Sequence, residues 1–276
     1  MGEILTGNFA PPRWDFWPGP EVRVINWNIE RGLKLAKIID FLDSQNADLL
    51  ILQEADLNAR RTRRLHIAEE IARRLGMNYV FGREFEELTQ GSRSSPAYHG
   101  QATLSRWRFS NPRVIRFHRQ SGFWRPRWFL PRTEPFQERI GGRLALVTEL
   151  HRAGRRLAVY NMHLESRGND DLRLAQLDEV LQDAAREAPG SPTLLAGDLN
   201  FDASHILEAR STQGLNFRSA IALPSPHTTP AHGLFQRRRP IDWAFLSGPV
   251  GATDGRVHSD VNASDHYPIS FTLRFL

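Results

Sequence analysis

Six short segments carry side chains suited to hydrolytic chemistry: Asn26-Trp27-Asn28-Ile29-Glu30, Leu52-Gln53-Glu54, Asn161-Met162-His163-Leu164-Glu165-Ser166, Gly197-Asp198-Leu199-Asn200, Ile241-Asp242-Trp243 and Ser264-Asp265-His266-Tyr267-Pro268-Ile269. Each sets a carboxylate, amide or imidazole at the end of a strand-like run, where loops aim side chains into a common cleft. A single strand-terminal carboxylate is more often a surface or capping group than a ligand, and a single histidine is more often a core residue. Six such segments spread across almost the whole chain argue for a shared site. The chain has no cysteine, so any metal must be held by oxygen or nitrogen. A histidine near neutral pH, such as His266, can take a proton from water. Asp198 and Asn200, two apart at a strand end, face the same way.

The elements that must position these groups follow from hydrophobic spacing. Val22 to Trp27 reads as a strand, and Leu35, Ile38, Ile39 and Leu42 recur at helical intervals. The strand Leu49 to Leu52 ends at Gln53-Glu54, and a second helix over Ala68 to Leu75 stops at Gly76. Arg143 to Leu150 and Leu157 to Met162 form a hairpin around Ala153-Gly154, followed by a helix from about Asp171 to Ala185. Thr193 to Ala196, Ile241 to Leu246 and Ile269 to Phe275 are further short apolar strands. The mixture predicts a layered α/β architecture without giving the strand order. Residues 1–21 read as a Pro/Trp-rich leader, and 22–276 as a single domain carrying a long loop at 116–139.

With their order and context, the six segments resemble the endonuclease/exonuclease/phosphatase superfamily, the fold of pancreatic deoxyribonuclease. The match runs from about Val22 to Phe275. That resemblance implies a four-layer α/β/β/α sandwich with two packed mixed β-sheets and the active site at one sheet edge. It implies Mg²⁺, with Mn²⁺ as an alternative, on Glu54 with help from Asn28, Glu30 or Asp265; Mg²⁺ keeps several waters, so one or two carboxylates suffice. His266, oriented by Asp242, would activate the attacking water. Asp198 and Asn200 would orient water and phosphate, and His163 would donate to a phosphoryl oxygen. Arg143 resembles an arginine at the start of a family strand, with a structural or phosphate-side role. The stretch Met162 to Gly168 is similar to tyrosyl-DNA phosphodiesterases, whereas abasic-site endonucleases usually carry tyrosine where this chain has His163.

Substrate cues are sparser. The 116–139 segment mixes Phe117, Phe123, Trp124, Trp128, Phe129 and Phe136 with Arg119, Arg125, Arg127 and Arg132. Such a loop can stack bases and clamp phosphates, and Trp124, Arg125 and Arg127 are its candidate substrate contacts. Packing the loop onto the body, or insertion at a lipid surface, would use the same residues. All but two of the 36 basic residues are arginine, and the formal charge is +5, compatible with a phosphate-rich ligand and equally with a codon bias. The expectation is a Mg²⁺-dependent phosphodiester hydrolase acting on nucleic acid. The alternatives are a phospholipid head-group hydrolase or inositol-phosphate phosphatase, and a catalytically silent binding scaffold. No basic segment followed by an apolar run opens the chain, so a cytoplasmic monomer is expected.

Overall fold

The computed structural model describes residues 3–11, 21–126, 129, 139–152, 154–187, 189–204, 215–222, 225–231 and 238–276. Its elements are β1 (Ile4–Asn8), β2 (Glu21–Arg31), α1 (Leu35–Gln45), β3 (Leu49–Leu57), α2 (Ile67–Leu75), β4 (Asn78–Glu87), β5 (Tyr98–Ser105), β6 (Phe109–Arg116), β7 (Arg139–Gly141), β8 (Leu144–Arg152), β9 (Arg155–His163), α3 (Asp170–Glu187), β10 (Thr193–Asp198), β11 (Arg218–Ser219), β12 (Asp242–Ser247), β13 (Val250–Val257) and β14 (Ile269–Phe275).

The strands form two sheets. One runs β1-β4-β5-β3-β2-β14-β13 with β7 on β4, and the other runs β11-β12-β10-β9-β8-β6. Both are mixed: β2 and β3 are parallel, as are β9 and β10, and the remaining pairs are antiparallel. Successive side chains of a strand face opposite ways, and here both faces are apolar. Val22 and Val24 of β2 join Leu49, Ile51, Val159, Leu194 and Leu246 in a core between the sheets. Ile25, Trp27 and Ile29 face away, onto Ile38, Leu42, Ile67 and Ile71 of α1 and α2. On the far side, Leu177, Val180 and Leu181 of α3 cover Tyr160, Met162, Leu195 and Phe245. Helix, sheet, sheet, helix is thus the expected sandwich.

Several expected boundaries shift. Ile4–Asn8, assigned to a leader, is an edge strand whose backbone pairs with β4 from Asn78 to Gly82. A five-residue strand between polar neighbours has too weak a pattern to stand out. The strand expected to stop at Leu52 continues to Leu57 through an irregularity between Leu52 and Ala55. The hairpin turns at Gly154, whose φ of 73° suits a residue without a side chain. Gly76 caps α2 in the left-handed region, as its position predicts.

Candidate active site

Strand register does most of the assembly. In the second sheet, Asp198 of β10 lies opposite His163 of β9 on one side and Asp242 of β12 on the other. Neighbouring strands are about 4.8 Å apart, so three chemically active side chains share one row at the sheet end. Gly197 permits it: a Cβ there would lie 1.8 Å from the Met162 carbonyl oxygen. In the first sheet, Asn28 of β2 lies opposite Gln53 of β3. Glu54 follows at the irregularity, with φ of 55°, and that bulge turns its carboxylate out of the pleat toward the facing sheet. Across from it, Gly100 allows close strand approach; a Cβ would lie 2.0 Å from the Gly82 carbonyl oxygen.

The result is a chain of groups crossing from sheet to sheet. Glu54 Oε1 is 4.0 Å from His163 Nε2, which is 3.6 Å from Asp198 Oδ2. Asp198 Oδ2 is 3.8 Å from His266 Nε2, and His266 Nδ1 is 2.8 Å from Asp242 Oδ2. The loop carrying His266 is clamped onto β2. Ser264 Oγ donates to the Asn28 carbonyl at 2.7 Å and accepts from His266 N at 3.2 Å, and Trp27 Nε1 donates to the His266 carbonyl at 2.9 Å.

Each expected residue then acquires a setting. Glu54 is partly exposed, and although burial raises its pKa, Arg31, His99, His163 and Arg143 outweigh burial and hold it well below the usual carboxylate range. Glu30 has a raised pKa, from burial first and then from the nearby Asp265 and Glu54 carboxylates. Glu30, Asp265 and Glu54 are thus near enough to feel one another's charge and offer only oxygen, the donor type a hard divalent cation takes. Among the described residues it is Asp198, Asp242 and His266 that bring three ligand atoms within 4.8 Å of one another. Their Nδ1–carboxylate hydrogen bond already accounts for that cluster, and an imidazole is a poor ligand for Mg²⁺. Asn28, expected beside the metal, donates its amide to Asp198 Oδ2 at 3.1 Å and accepts from Glu30 N at 3.2 Å, which braces the Asp198 carboxylate and the Glu30 backbone. Asn200 donates from its side chain to the Leu164 carbonyl and from its backbone to Asp198 Oδ1, which fixes it beside Asp198.

For His266, burial lowers the pKa, but Asp242 and then Asp198 more than offset it, and the imidazole is held well above its usual value. Asp242 is pushed up by burial and by Asp198. With Nδ1 bonded to Asp242, the direction supported by the geometry is an imidazolium on a carboxylate.

Of the expected substrate contacts, Trp124 is corrected, Arg143 takes the structural one of its two expected roles, and Arg127 falls outside the described residues. Arg143 is 2 % exposed and sits behind His163, donating to its Nδ1 at 2.8 Å, to Glu84 at 3.3 Å and to Ser166 Oγ at 3.2 Å. Trp124 is 9 % exposed and gives its indole N–H to both Glu165 oxygens, at 2.9 and 3.0 Å; it packs the loop onto the body. Arg125 is exposed, and Arg127 lies outside the described residues.

Two supporting groups went unforeseen. Glu84 on β4 is fully buried against Arg143 and His163 Nδ1, and these hold its carboxyl at about 2 although burial raises it. Gln53 donates to Asn26 and Asn161 at 3.0 and 2.9 Å, and Asn161 donates to the Leu52 and Ala102 carbonyls at 3.0 Å. That amide network joins the two sheets behind the site. Gln53 was visible as a polar residue in an apolar run; Glu84, among Arg83 and Glu86, carried no such signal.

Comparison with known proteins agrees with this architecture. The sequence model of the endonuclease/exonuclease/phosphatase family matches residues 25–266. No curated protein matches. Among solved structures, TDP2 from Caenorhabditis elegans is similar with 19% identity and a TM-score of 0.63 over 92% of this chain and 74% of that one. The human Nocturnin catalytic domain, solved with bound sulfate anion, is 20% identical with a TM-score of 0.66 over 94% and 96%. An endonuclease/exonuclease/phosphatase from Beutenbergia cavernae is 18% identical with a TM-score of 0.64 over 92% and 72%. From the matched span, which takes in five of the six segments whole and the sixth as far as His266, the chain belongs to the endonuclease/exonuclease/phosphatase family.

Proposed function

We propose that this protein hydrolyses phosphodiesters with a divalent cation, Mg²⁺ before Mn²⁺, and that its substrate is nucleic acid. The observation that carries the proposal is the unbroken series Glu54, His163, Asp198, His266 and Asp242, in which no step exceeds 4.0 Å. Glu54, with Glu30 and Asp265, would hold the cation, whose contribution is to neutralise charge on the phosphoryl group and leaving oxygen.

The protein's own groups supply the rest. Guanidinium nitrogens only donate, so Arg143 on His163 Nδ1 leaves the imidazole proton on Nε2. That N–H faces the Asp198 and Glu54 side, where a phosphoryl oxygen gaining charge would receive it. His266, protonated on Asp242, is a second donor in its resting form. The carboxylate of Asp198, between the two imidazoles, is then the acceptor for the proton of the attacking water, with the Asn200 oxygen helping to hold that water. This division of labour moves the base expected at His266 onto Asp198, because the raised pKa of His266 favours a donor.

The test is hydrolysis of bis-para-nitrophenyl phosphate in Mg²⁺ by the wild-type protein, E54Q and D198N. Each substitution is expected to lower kcat/KM by at least about 100-fold with unchanged thermal unfolding, and chelation should abolish wild-type activity. Variants as active as wild type would remove the proposal, and a wild-type protein inert toward every phosphoester would favour a silent scaffold. A phospholipid substrate is the second reading, prompted by the exposed Phe123, Phe129 and Ile140; a panel of DNA, RNA, 5′-phosphotyrosyl DNA, sphingomyelin and inositol phosphates separates the two.

A further inference from the structure

Phe123 lies in the short helical turn Gly122–Trp124 that opens the loop after β6, and it is 47 % exposed. The guanidinium of Arg167, itself exposed, lies over its ring at 4.6 Å from the centroid. Trp124 meets the same ring edge-on, with centroids 4.9 Å apart and planes at 88°.

One buried carboxylate holds both chain segments that create this pair. Glu165 Oε1 accepts from the Trp124 indole at 2.9 Å and from Arg167 N at 2.9 Å, while Oε2 accepts from Trp124 and from Ser121 N. Beneath it, Trp124 packs 5.1 Å from Phe85, with Arg139 and Arg143 at 5.2 and 5.3 Å over its ring. A phenyl ring steadied in this way is a fixed plane, which costs little entropy to stack upon. It is also tied to the back of the His163 ring. Arg143 bonds both His163 Nδ1 and Ser166 Oγ, and the compact guanidinium keeps those two atoms within about 8 Å of each other. Arg167 is the next residue.

Resting on the phosphodiesterase reading above, we infer that Phe123 and Arg167 form a stacking subsite for an aromatic base of the bound strand. The phenyl ring and the flat guanidinium both stack on bases irrespective of base identity, and the Arg167 charge suits the strand's flanking phosphate. A lipid-inserting tip would gain nothing from a cation laid across its apolar face.

Two measurements test the subsite. The first is binding of a single-stranded oligonucleotide carrying 2-aminopurine, followed by fluorescence in chelator so that no cleavage occurs. F123A and R167A should each weaken binding roughly tenfold and relieve the stacking quench, while F123W should preserve both. The second is thermal unfolding, where all three variants should match the wild type, so that lost binding is not lost fold. Wild-type binding and quench in F123A would overturn the subsite, as would equal losses in F123A and F123W. Loss of flotation on phosphatidylcholine vesicles in F123A, with oligonucleotide binding intact, would overturn it in favour of a lipid contact. A protein that binds and quenches through Phe123 yet cleaves no phosphoester would keep the subsite and sink the reaction.

Discussion

His163 owes its tautomer to a neighbour that can only donate. Arg143 occupies Nδ1, Glu84 neutralises Arg143 in the interior, and Nε2–H is left facing the cleft. His266 is set in the opposite sense, with Nδ1 on a carboxylate and its pKa raised by Asp242 and Asp198 against the effect of burial. The sign of its pH dependence follows. An imidazolium donor is present below its pKa and is lost as pH rises through it, so kcat/KM should hold above pH 6.5 and fall on the alkaline side. H266N should remove that alkaline limb along with most of the activity. A wild-type rate that instead climbs with pH through the same range would make His266 the base and return Asp198 to an orienting role.

Among the elements, α2 shows how a local signal carries a tertiary cost. Its N-cap is His66, whose Nδ1 accepts from Glu69 N at 3.4 Å, and the ring packs against Tyr79 and Phe81. Burial lowers the pKa of His66 from 6.5 to about 4, so the folded protein favours the neutral ring. Stability linked to His66 is therefore complete above pH 6.5 and is lost as pH falls from 6.5 toward 4, by up to about 3 kcal/mol. Urea unfolding at intervals across that window should show the decline, and H66N, which keeps a capping oxygen but does not titrate, should flatten it. A decline unchanged in H66N would place its origin elsewhere. The strands make a similar point through β3. An apolar run of Leu49 to Leu52 was enough to forecast a strand, but the irregularity that turns Glu54 outward is a property of pairing with both β2 and β5.

At the scale of the molecule, the candidate site's groups from both sheets meet because the sheets are fastened to each other just behind them. Gln53 and Asn26 belong to one sheet and Asn161 to the other, and their buried amides bond across the gap. Replacing Gln53 with leucine would strand the acceptor oxygens of Asn26 and Asn161, so Q53L is expected to lose roughly 2–4 kcal/mol in denaturant unfolding. Activity in the remaining folded protein should also drop, because the row on β9, β10 and β12 would no longer be held in place against Glu54. Full stability with full activity in Q53L would show that apolar packing alone aligns the sheets. Among the described residues no helix is long and apolar enough to cross a membrane.

From sequence alone, the kinds of residue and their order along the chain were readable, because side-chain chemistry and short-range periodicity are local properties. Glu54, His163, Asp198, Asp242 and His266 each end or follow an apolar run, and together they pointed to the endonuclease/exonuclease/phosphatase family. Tertiary structure alone decided what supports them. Arg143 and Trp124 look like ligand contacts in a basic aromatic setting, yet burial turns Arg143 into the brace of His163 and Trp124 into the anchor of a turn. Ile4–Asn8 became a strand only by pairing with β4, and Glu84 gained its place behind His163 through Arg143, 59 residues away. Such roles depend on which backbone groups and charges face each other across the sheets, and no pattern within a single segment encodes that.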